Sequence, residues 1–413
     1  MTRRTTTPRR GLALAGATTA LVLVTALAAP AVTAVQRPGG PRATSRVAPP
    51  VVDDALNGVF CHGLSLCWSV GYRGTNPSHG FTLAERWSTS ENEWQEVTTP
   101  SPAAAEESNL QGVSCGSSTC MAVGADESSS LHVSTLAEHW SGSRWSIVPT
   151  AHLSGRPSGI LWGVSCVDNT DCFAVGSYQK RHNHAETRAV IERWNGTAWA
   201  LVSSPDPHQS SVLYGVSCKS STSCLAVGTY VADAIGYALV EHWDGTAWSL
   251  VFTRSGISSE SVQLDSASCP TSGTCLSAGS YYNTASLQRT LAEEWNTPDR
   301  SAFTTPKNPS ATHASQLIGI SCASASGCVA VGDQPYSASD VHTLAESWNG
   351  ATWKVLGTPA ISGSHDVVLL AVGCAGTSDC FAVGANFAAS HRVITLSEHW
   401  NGTTWAVVTT ANP

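Results

Sequence analysis

Fourteen cysteines divide this 413-residue chain into seven units of nearly equal length. The two members of each pair stand 5 or 6 positions apart, and the first members of successive pairs stand 51 to 54 positions apart. So regular a period predicts tandem copies of one supersecondary unit. An even set at constant spacing favours one local disulfide per unit over zinc, which would need further ligands in register. The expected bridges are Cys61–Cys67, Cys115–Cys120, Cys166–Cys172, Cys218–Cys224, Cys269–Cys275, Cys322–Cys328 and Cys374–Cys380.

Each unit contains four apolar stretches of 4 to 6 residues, which is the length of a strand and too short for a helix. Examples are Leu213–Cys218, Cys172–Gly176, Thr395–Trp400 and Trp405–Val408. A pair such as Asn195-Gly196 separates the third stretch from the fourth and predicts a tight hairpin with positive φ at both turn residues. Four antiparallel strands repeated seven times predict an all-β fold, a seven-bladed β-propeller with one local disulfide per blade.

Comparison of the units predicts which strand lies innermost. A leucine stands five positions before each first cysteine, and two positions after that leucine comes a small residue. Small residues suit a first strand crowded around an axis, and the tryptophans of the third and fourth strands suit the wider outer gaps. The disulfide turn and the Asn-Gly turn then lie at one end of each sheet, the turn face. The loops between second and third strands, and the connections between units, lie at the other end, the variable face.

Two local patterns resemble known propeller families. Val175-Gly176, followed by the segment from Glu192 to Gly196 and by Trp199, resembles a blade of the kelch or galactose-oxidase type. The turn Asp244–Trp248 resembles the Asp-box turn of sialidase-like propellers, although it is one residue short. The resemblance covers about 359 residues and implies a propeller architecture. Kelch blades lack the paired cysteines, so it implies nothing about activity.

The N-terminus predicts export. Residues 1–34 combine four arginines without an acidic residue, an apolar run and small-residue cleavage sites, which is typical of a bacterial signal peptide. A twin-arginine signal and an uncleaved membrane anchor are the alternatives. Residues 35–54 are a proline-rich linker, and residues 55–413 form the propeller. Its repeats are expected near 55–100, 109–150, 160–204, 212–253, 263–306, 316–359 and 368–410. We therefore expect a secreted or cell-surface protein.

The charge balance excludes two classes of partner. Without the four arginines of residues 1–34, 22 − 4 = 18 basic residues face 30 acidic ones, a net charge near −12. Nucleic acid and anionic membrane surfaces are therefore not expected as partners. The expected partner of this monomer is a carbohydrate or protein of the cell envelope.

A glutamate stands two positions before the tryptophan that ends the third stretch of every unit. A glycosidase needs one unlike pair of carboxylates in a cleft, whereas seven equivalent ones predict hydrogen bonds to the neighbouring blade. These residues are Glu85, Glu138, Glu192, Glu241, Glu293, Glu346 and Glu398.

Two sets of residues on the variable face are candidates for ligand binding. The first stands four positions before each first cysteine and comprises Asn57, Gln111, Trp162, Tyr214 and Asp265, with Ile318 and Leu370 in the last two units. The second follows the second strand and comprises Tyr72, Tyr178, Tyr230, Tyr281 and Tyr336, with Tyr282 and Phe387. Aromatic and amide side chains suit sugar stacking and hydrogen bonding. The alternative is that the tyrosines seal the gaps between blades.

No catalytic motif or cofactor site is predicted, and the cysteines are all assigned to disulfides. His182 and His184 are weak candidates for metal ligands on the one second-to-third-strand loop with a clear insertion. The expected function is non-catalytic extracellular binding. A carbohydrate-active lyase or hydrolase and a purely structural surface protein are the alternatives.

Overall fold

The computed structural model describes residues 53–411, except 77–78, 104, 154–157, 181–182, 206–209, 233–234, 252–260, 297–299, 304–312, 336, 338–339, 363 and 389–391. The chain divides into two units, Met1–Ala48 and Pro49–Pro413, and every described residue belongs to the second. The predicted signal peptide and its alternatives therefore lie outside the described residues, as does the linker up to residue 52. The part of the chain that is described contains no helix able to span a membrane.

The described residues form 28 strands in seven successive sets of four, here called repeats 1 to 7. The first strands are β1 Asp54–Cys61, β5 Ala105–Cys115, β9 Ser158–Cys166, β13 Ser211–Ser220, β17 Val262–Thr271, β21 Gln316–Ser324 and β25 Ser364–Gly376. The second strands are β2 Cys67–Asn76, β6 Cys120–Ser128, β10 Cys172–Lys180, β14 Ser223–Ala232, β18 Thr274–Tyr282, β22 Gly327–Pro335 and β26 Asp379–Ala388. The third strands are β3 His79–Ser88, β7 Val133–Trp140, β11 Asn183–Trp194, β15 Ile235–Trp243, β19 Gln288–Asn296, β23 Val341–Trp348 and β27 Val393–Trp400. The fourth strands are β4 Glu93–Glu96, β8 Trp145–Ile147, β12 Trp199–Val202, β16 Trp248–Leu250, β20 Arg300–Phe303, β24 Trp353–Leu356 and β28 Trp405–Val407.

Within each repeat the strands pair antiparallel in chain order, as the sequence predicts. A single parallel bridge joins repeat 1 to repeat 2, between Gly80 and Glu107, and another joins repeat 6 to repeat 7, between Val341 and Asp366. Hydrogen bonding therefore produces five continuous sheets, two of them eight-stranded. The first three strands of a repeat have 8 to 13 residues, longer than the predicted 4 to 6. Backbone pairing continues beyond the apolar stretch into polar residues of the variable face, which hydropathy does not mark.

The first strands form the inner ring, as the small residues predict. Each first strand contacts the next one, and β25 contacts β1. A Cβ added to Gly163 would stand 2.8 Å from the carbonyl oxygen of Tyr214 in the next repeat, and one added to Gly319 would stand 2.9 Å from Ala371 Cα. The backbones of neighbouring first strands are thus so close that this position holds only glycine, alanine or serine.

The hydrophobic core lies between the repeats, in the contacts here called seams. At each of the first six seams the second strand of one repeat packs on the first strand and the tryptophans of the next. Between repeats 7 and 1, Phe381 packs on Trp87 and Trp94, with ring centroids 4.5 and 5.3 Å apart. The tryptophans therefore fill the outer part of each seam, as predicted.

All seven predicted disulfides are present, with Cα–Cα distances from 3.9 to 4.2 Å. Each joins the ends of the first and second strands of one repeat. No cysteine remains free, which is typical of proteins that fold outside the reducing cytosol.

The Asn-Gly turns differ from the prediction. In repeat 3, Asn195 opens a four-residue loop, closed by its backbone N–H bond to Ala198 O at 3.2 Å. Only Gly196 has positive φ, at 92°. Asn195 Oδ1 instead accepts the backbone N–H groups of Thr197 and Ala198, at 3.0 and 2.9 Å. The asparagine was predicted to supply a positive φ, but it acts as a hydrogen-bond acceptor that caps the loop.

The seams explain why a glutamate recurs at the same position of every repeat. All seven side chains are at most 2% exposed. In three seams a group from the preceding repeat donates to the glutamate, which confirms the predicted hydrogen bond to the neighbouring blade. The bonds are Ala151 N to Glu192 Oε2 at 2.8 Å, Ser204 Oγ to Glu241 Oε1 at 2.6 Å, and Ala411 N to Glu85 Oε1 at 3.2 Å.

A second seam contact was not predicted. In five seams the serine before the first cysteine accepts the backbone N–H of the next repeat's first cysteine; Ser114 Oγ, for example, accepts from Cys166 N at 2.9 Å. Repeats 1 and 7 carry Phe60 and Gly373 at this position. The two seams that flank repeat 1 therefore lack the serine contact.

The closing seam has its own hydrogen bonds. Trp94 of repeat 1 donates through Nε1 to Ser397 Oγ of repeat 7 at 2.9 Å, and through its backbone N–H to Thr409 O at 3.0 Å. Val393 N donates to Asp53 Oδ1 at 3.0 Å. The ring therefore closes between complete repeats, without a strand exchanged between the two ends.

Candidate functional site

A β-bulge interrupts the first strand of every repeat at the same position. In repeat 3, Leu161 and Gly163 pair with adjacent residues of β10, so Trp162 between them has no partner of its own. The same register shift occurs in the other six repeats. The unpaired residues are Asn57, Gln111, Trp162, Tyr214, Asp265, Ile318 and Leu370. The first candidate set therefore consists of the seven bulge residues.

The glycine of the second strand makes room for the bulge. A Cβ added to Gly176 would overlap the carbonyl oxygen of Ile160 and stand 2.9 Å from its carbonyl carbon and from Leu161 Cα. The corresponding glycine of each other repeat meets the same first-strand atoms. Since these obstacles are backbone atoms of a paired strand, only glycine fits there without displacing the bulge.

Some bulge residues contact the next repeat around the ring. Asn57 Nδ2 donates to Asn109 Oδ1 at 2.7 Å and to Leu110 O at 2.9 Å, both in repeat 2. The rings of Trp162 and Tyr214 meet edge to face, with centroids 5.8 Å apart. Within the first candidate set, Trp162 and Tyr214 are therefore in direct contact.

Asp265 lies next to this pair in repeat 5, since a Cβ added to Gly215 would stand 3.0 Å from Asp265 O. Burial, and after it the charge of Asp265, raises the pKa of Tyr214. Gln263 Nε2 donates to Asp265 Oδ1 at 2.5 Å and orients the carboxyl group. Trp162, Tyr214 and Asp265 are all half-buried, so that each is held by the protein while part of it faces solvent. We call these three side chains the axial wall.

Two further carboxyl groups, Asp333 and Asp366, lie in the two repeats that follow Asp265. Burial, opposed by the bond from Gln263 and reinforced by the charge of Asp333, raises the pKa of Asp265 to about 7. Burial raises the pKa of Asp333 to about 6. The bond from Gln316 Nε2 to Asp333 Oδ2, at 2.7 Å, opposes this rise, and the negative charge of Asp366 adds to it. The sequence analysis missed Asp333. It directly follows the second-strand glycine of repeat 6, where no other repeat has a charged residue, so comparison of the repeats contained the signal.

The tyrosines that follow the second strand take different positions. Tyr178, Tyr230 and Tyr281 are half-buried and pack against three successive seam cores. Tyr72 directly follows the second-strand glycine, whereas the other three tyrosines stand two positions after it. The ring of Tyr72 occupies the space where a Cβ on Gly80 would stand. Burial, with the charge of Glu107, raises the pKa of Tyr72 to about 12. These positions favour the alternative in which tyrosines seal the gaps between repeats. Tyr336 lies outside the described residues.

The structure describes little of the two weak candidates for metal ligands. His182 lies outside the described residues, and of His184 only the backbone, within β11, is described. Among the side chains that are described, no group of three or more His, Cys, Asp or Glu residues is arranged around a common metal position.

Three solved structures with similar folds identify the architecture. The β-propeller domain of the Trilobed protease from Pyrococcus furiosus, which has an open velcro topology, shares 9% identity with this chain at a TM-score of 0.50, covering 87% of this chain and 99% of that one. An ulvan lyase of polysaccharide lyase family PL25 shares 9% identity at 0.54, covering 88% and 97%. A GH74 xyloglucanase from Xanthomonas campestris shares 10% identity at 0.56 and covers 88% of this chain, which spans 55% of the xyloglucanase. At these identities the likeness shows the fold alone, an all-β propeller built from repeated four-stranded sheets.

Comparison with protein-family models gives no match. A search of curated proteins also finds none.

Proposed function

We propose that this chain is a secreted or cell-surface, seven-bladed β-propeller of the kelch-like kind that binds a carbohydrate of the cell envelope on its variable face, without transforming it. Seven blades result if each eight-stranded sheet is divided at its single parallel bridge. The seven disulfides favour an oxidising compartment outside the cell.

The observation that carries the proposal is the bulge shared by all repeats. It gives seven equivalent backbone positions around the inner ring, and these positions carry unlike side chains. An edge-to-face Trp162–Tyr214 pair beside a carboxyl and amide groups combines the two elements that sugar sites use, an apolar aromatic surface and directional polar groups. A role confined to packing would not need tryptophan, tyrosine and aspartate at equivalent positions of three successive repeats.

The experiment is a binding screen of the oxidised protein against a glycan panel and cell-wall fractions, followed by intrinsic tryptophan fluorescence. A saturable response that Trp162→Ala and Tyr214→Ala each reduce at least ten-fold supports the proposal. The matched control is Phe81→Ala, an aromatic residue 43% exposed on β3 and outside the inner ring. An equal loss in the control, or unchanged affinity in the two variants, contradicts the site. Capture of an envelope protein without any glycan response would transfer the function to a protein partner.

A second candidate function is hydrolysis or elimination on a glycan at the same site. The observation that favours it is the pair Asp265 and Asp333, in adjacent repeats and both with raised pKa, since an acid–base mechanism needs a protonated and an ionised carboxyl group near neutral pH. Any glycan bound in the screen is incubated with the protein and analysed for cleavage. Turnover that Asp265→Asn and Asp333→Asn abolish establishes this function in place of simple binding.

A further inference from the structure

The axial wall combines aromatic rings with a carboxyl group at three successive repeats. The ring centroids of Trp162 and Tyr214 are 5.8 Å apart, and a Cβ added to Gly215, the residue after Tyr214, would stand only 3.0 Å from Asp265 O. Because the π face of an aromatic ring is electron-rich, rings beside a carboxylate attract a cation twice, through the quadrupole and through the charge.

The surroundings add more negative charge. Within the described part of the chain, the charged group that acts on Asp265 is Asp333, and the one that acts on Asp333 is Asp366. The amides of Gln263 and Gln316 orient the first two carboxyl groups without neutralising them. The whole chain carries a formal net charge of −8. Three carboxyl groups in neighbouring repeats therefore repel one another unless a cation or a proton comes between them.

We propose that the ligand of the axial wall carries a positively charged ammonium group, as in an amino sugar that lacks its N-acetyl group, and that Trp162, Tyr214 and Asp265 hold that group. The inference rests on the proposed function, since it names the chemical class of carbohydrate that the same site takes. A neutral glycan leaves the carboxyl groups uncompensated, and an acidic glycan adds to their repulsion.

Proton release accompanies such binding. In the free protein, burial and the charge of Asp333 hold part of the Asp265 population protonated near pH 7. An ammonium group favours the ionised form, and the bound state therefore holds fewer protons than the free state. Affinity for a permanently charged cation should rise by up to about 25-fold from pH 5.5 to pH 7.5, because the ionised fraction of Asp265 rises over that range.

The test is isothermal titration calorimetry on the oxidised full chain with hexamers of glucosamine, N-acetylglucosamine and glucose. Choline serves as a cation whose charge does not change with pH. We expect the glucosamine hexamer to bind at least ten-fold more tightly than the other two, and Asp265→Asn to remove most of that preference. Asp168→Asn is the matched control, because it removes the same charge from the turn face, where Asp168 Oδ1 accepts Thr170 N at 2.7 Å.

The outcomes separate the inference from the proposed function. Equal affinity for charged and neutral hexamers overturns the inference and leaves glycan binding intact. If choline binds more tightly as pH rises and no hexamer binds, the cation site is supported and the proposal that the ligand is a carbohydrate is overturned. An equal loss in Asp265→Asn and Asp168→Asn, or no binding of any of the four probes, overturns the inference.

Discussion

The bulge depends on a second-strand glycine, and replacement of Gly176 by alanine tests this dependence. The added Cβ would overlap Ile160 O and approach two further backbone atoms at 2.9 Å. Neither strand can withdraw freely, because β10 is paired with both β9 and β11. Overpacking costs about 3 kcal/mol at the upper end of its usual range. Alanine recovers about 0.5–1 kcal/mol by restricting the unfolded chain. The net expected loss in the free energy of unfolding is about 2 kcal/mol.

The assay is urea unfolding of the oxidised protein, followed by far-ultraviolet circular dichroism, together with thermal unfolding. For a domain of this size, a loss of about 2 kcal/mol lowers the Tm by roughly 3 °C. The matched control is Gly273→Ala in the disulfide turn of repeat 5, where an added Cβ meets no atom within 4 Å. The control should stay within about 0.5 kcal/mol of the original protein.

The same substitution tests the link between the bulge and the site. Because Trp162 is the residue that the bulge leaves unpaired, a forced return to regular pairing rotates its side chain away from Tyr214. Any ligand of the axial wall should then bind Gly176→Ala more weakly than Gly273→Ala. Equal stability of the two variants would refute the steric reasoning. A destabilised variant with unchanged affinity would refute the link to the site.

Three further predictions concern the seams and the disulfides. Burial raises the pKa of Glu192 from its usual value to about 7, so the folded protein binds the extra proton and loses stability as pH rises from about 4.5 to 7. Glu192→Gln should reduce this loss, by up to about 1.4 kcal/mol per pH unit, in urea midpoints measured at pH 5, 6.5 and 8; an unchanged slope contradicts it. Ser397→Ala leaves Trp94 Nε1 without its acceptor and should lower the free energy of unfolding by about 1–2 kcal/mol in the same assay. An unchanged urea midpoint would disprove this prediction. Replacement of both Cys166 and Cys172 by serine should cost about 2 kcal/mol in the chain-entropy account, measured without reductant, and a neutral result would show that so short a loop restricts the unfolded chain little.

The sequence predicted features that repeat identically, because seven copies make a pattern visible in one chain. The paired cysteines predicted the disulfides. The glutamate two positions before each third-strand tryptophan predicted the hydrogen bonds across the seams. The leucine and the small residue gave the inner strand. Each of these rests on a side chain whose role is the same in every repeat, so internal comparison could substitute for structural data.

The bulge could not be predicted, because register belongs to two strands at once. A strict two-residue alternation places Leu161 and Gly163 on one face and fits the sequence equally well without a bulge. The contacts of the axial wall also needed the structure. Trp162 meets Tyr214, and Gly215 approaches the backbone of Asp265, across repeats whose relative offset is set by packing. The turn of Asn195 was predicted as a hairpin with the wrong φ, because its side chain satisfies the loop in place of its backbone.

The closing seam joins two complete repeats by contacts of the same kind as those within the ring. Glu85 accepts Ala411 N as Glu192 accepts Ala151 N, although the first pair joins the two ends of the domain and the second joins neighbours in sequence. The ring therefore does not depend on which repeat comes first in the chain. A circular permutant that starts at repeat 3 and ends with repeat 2 would exchange one seam for another and keep every repeat intact.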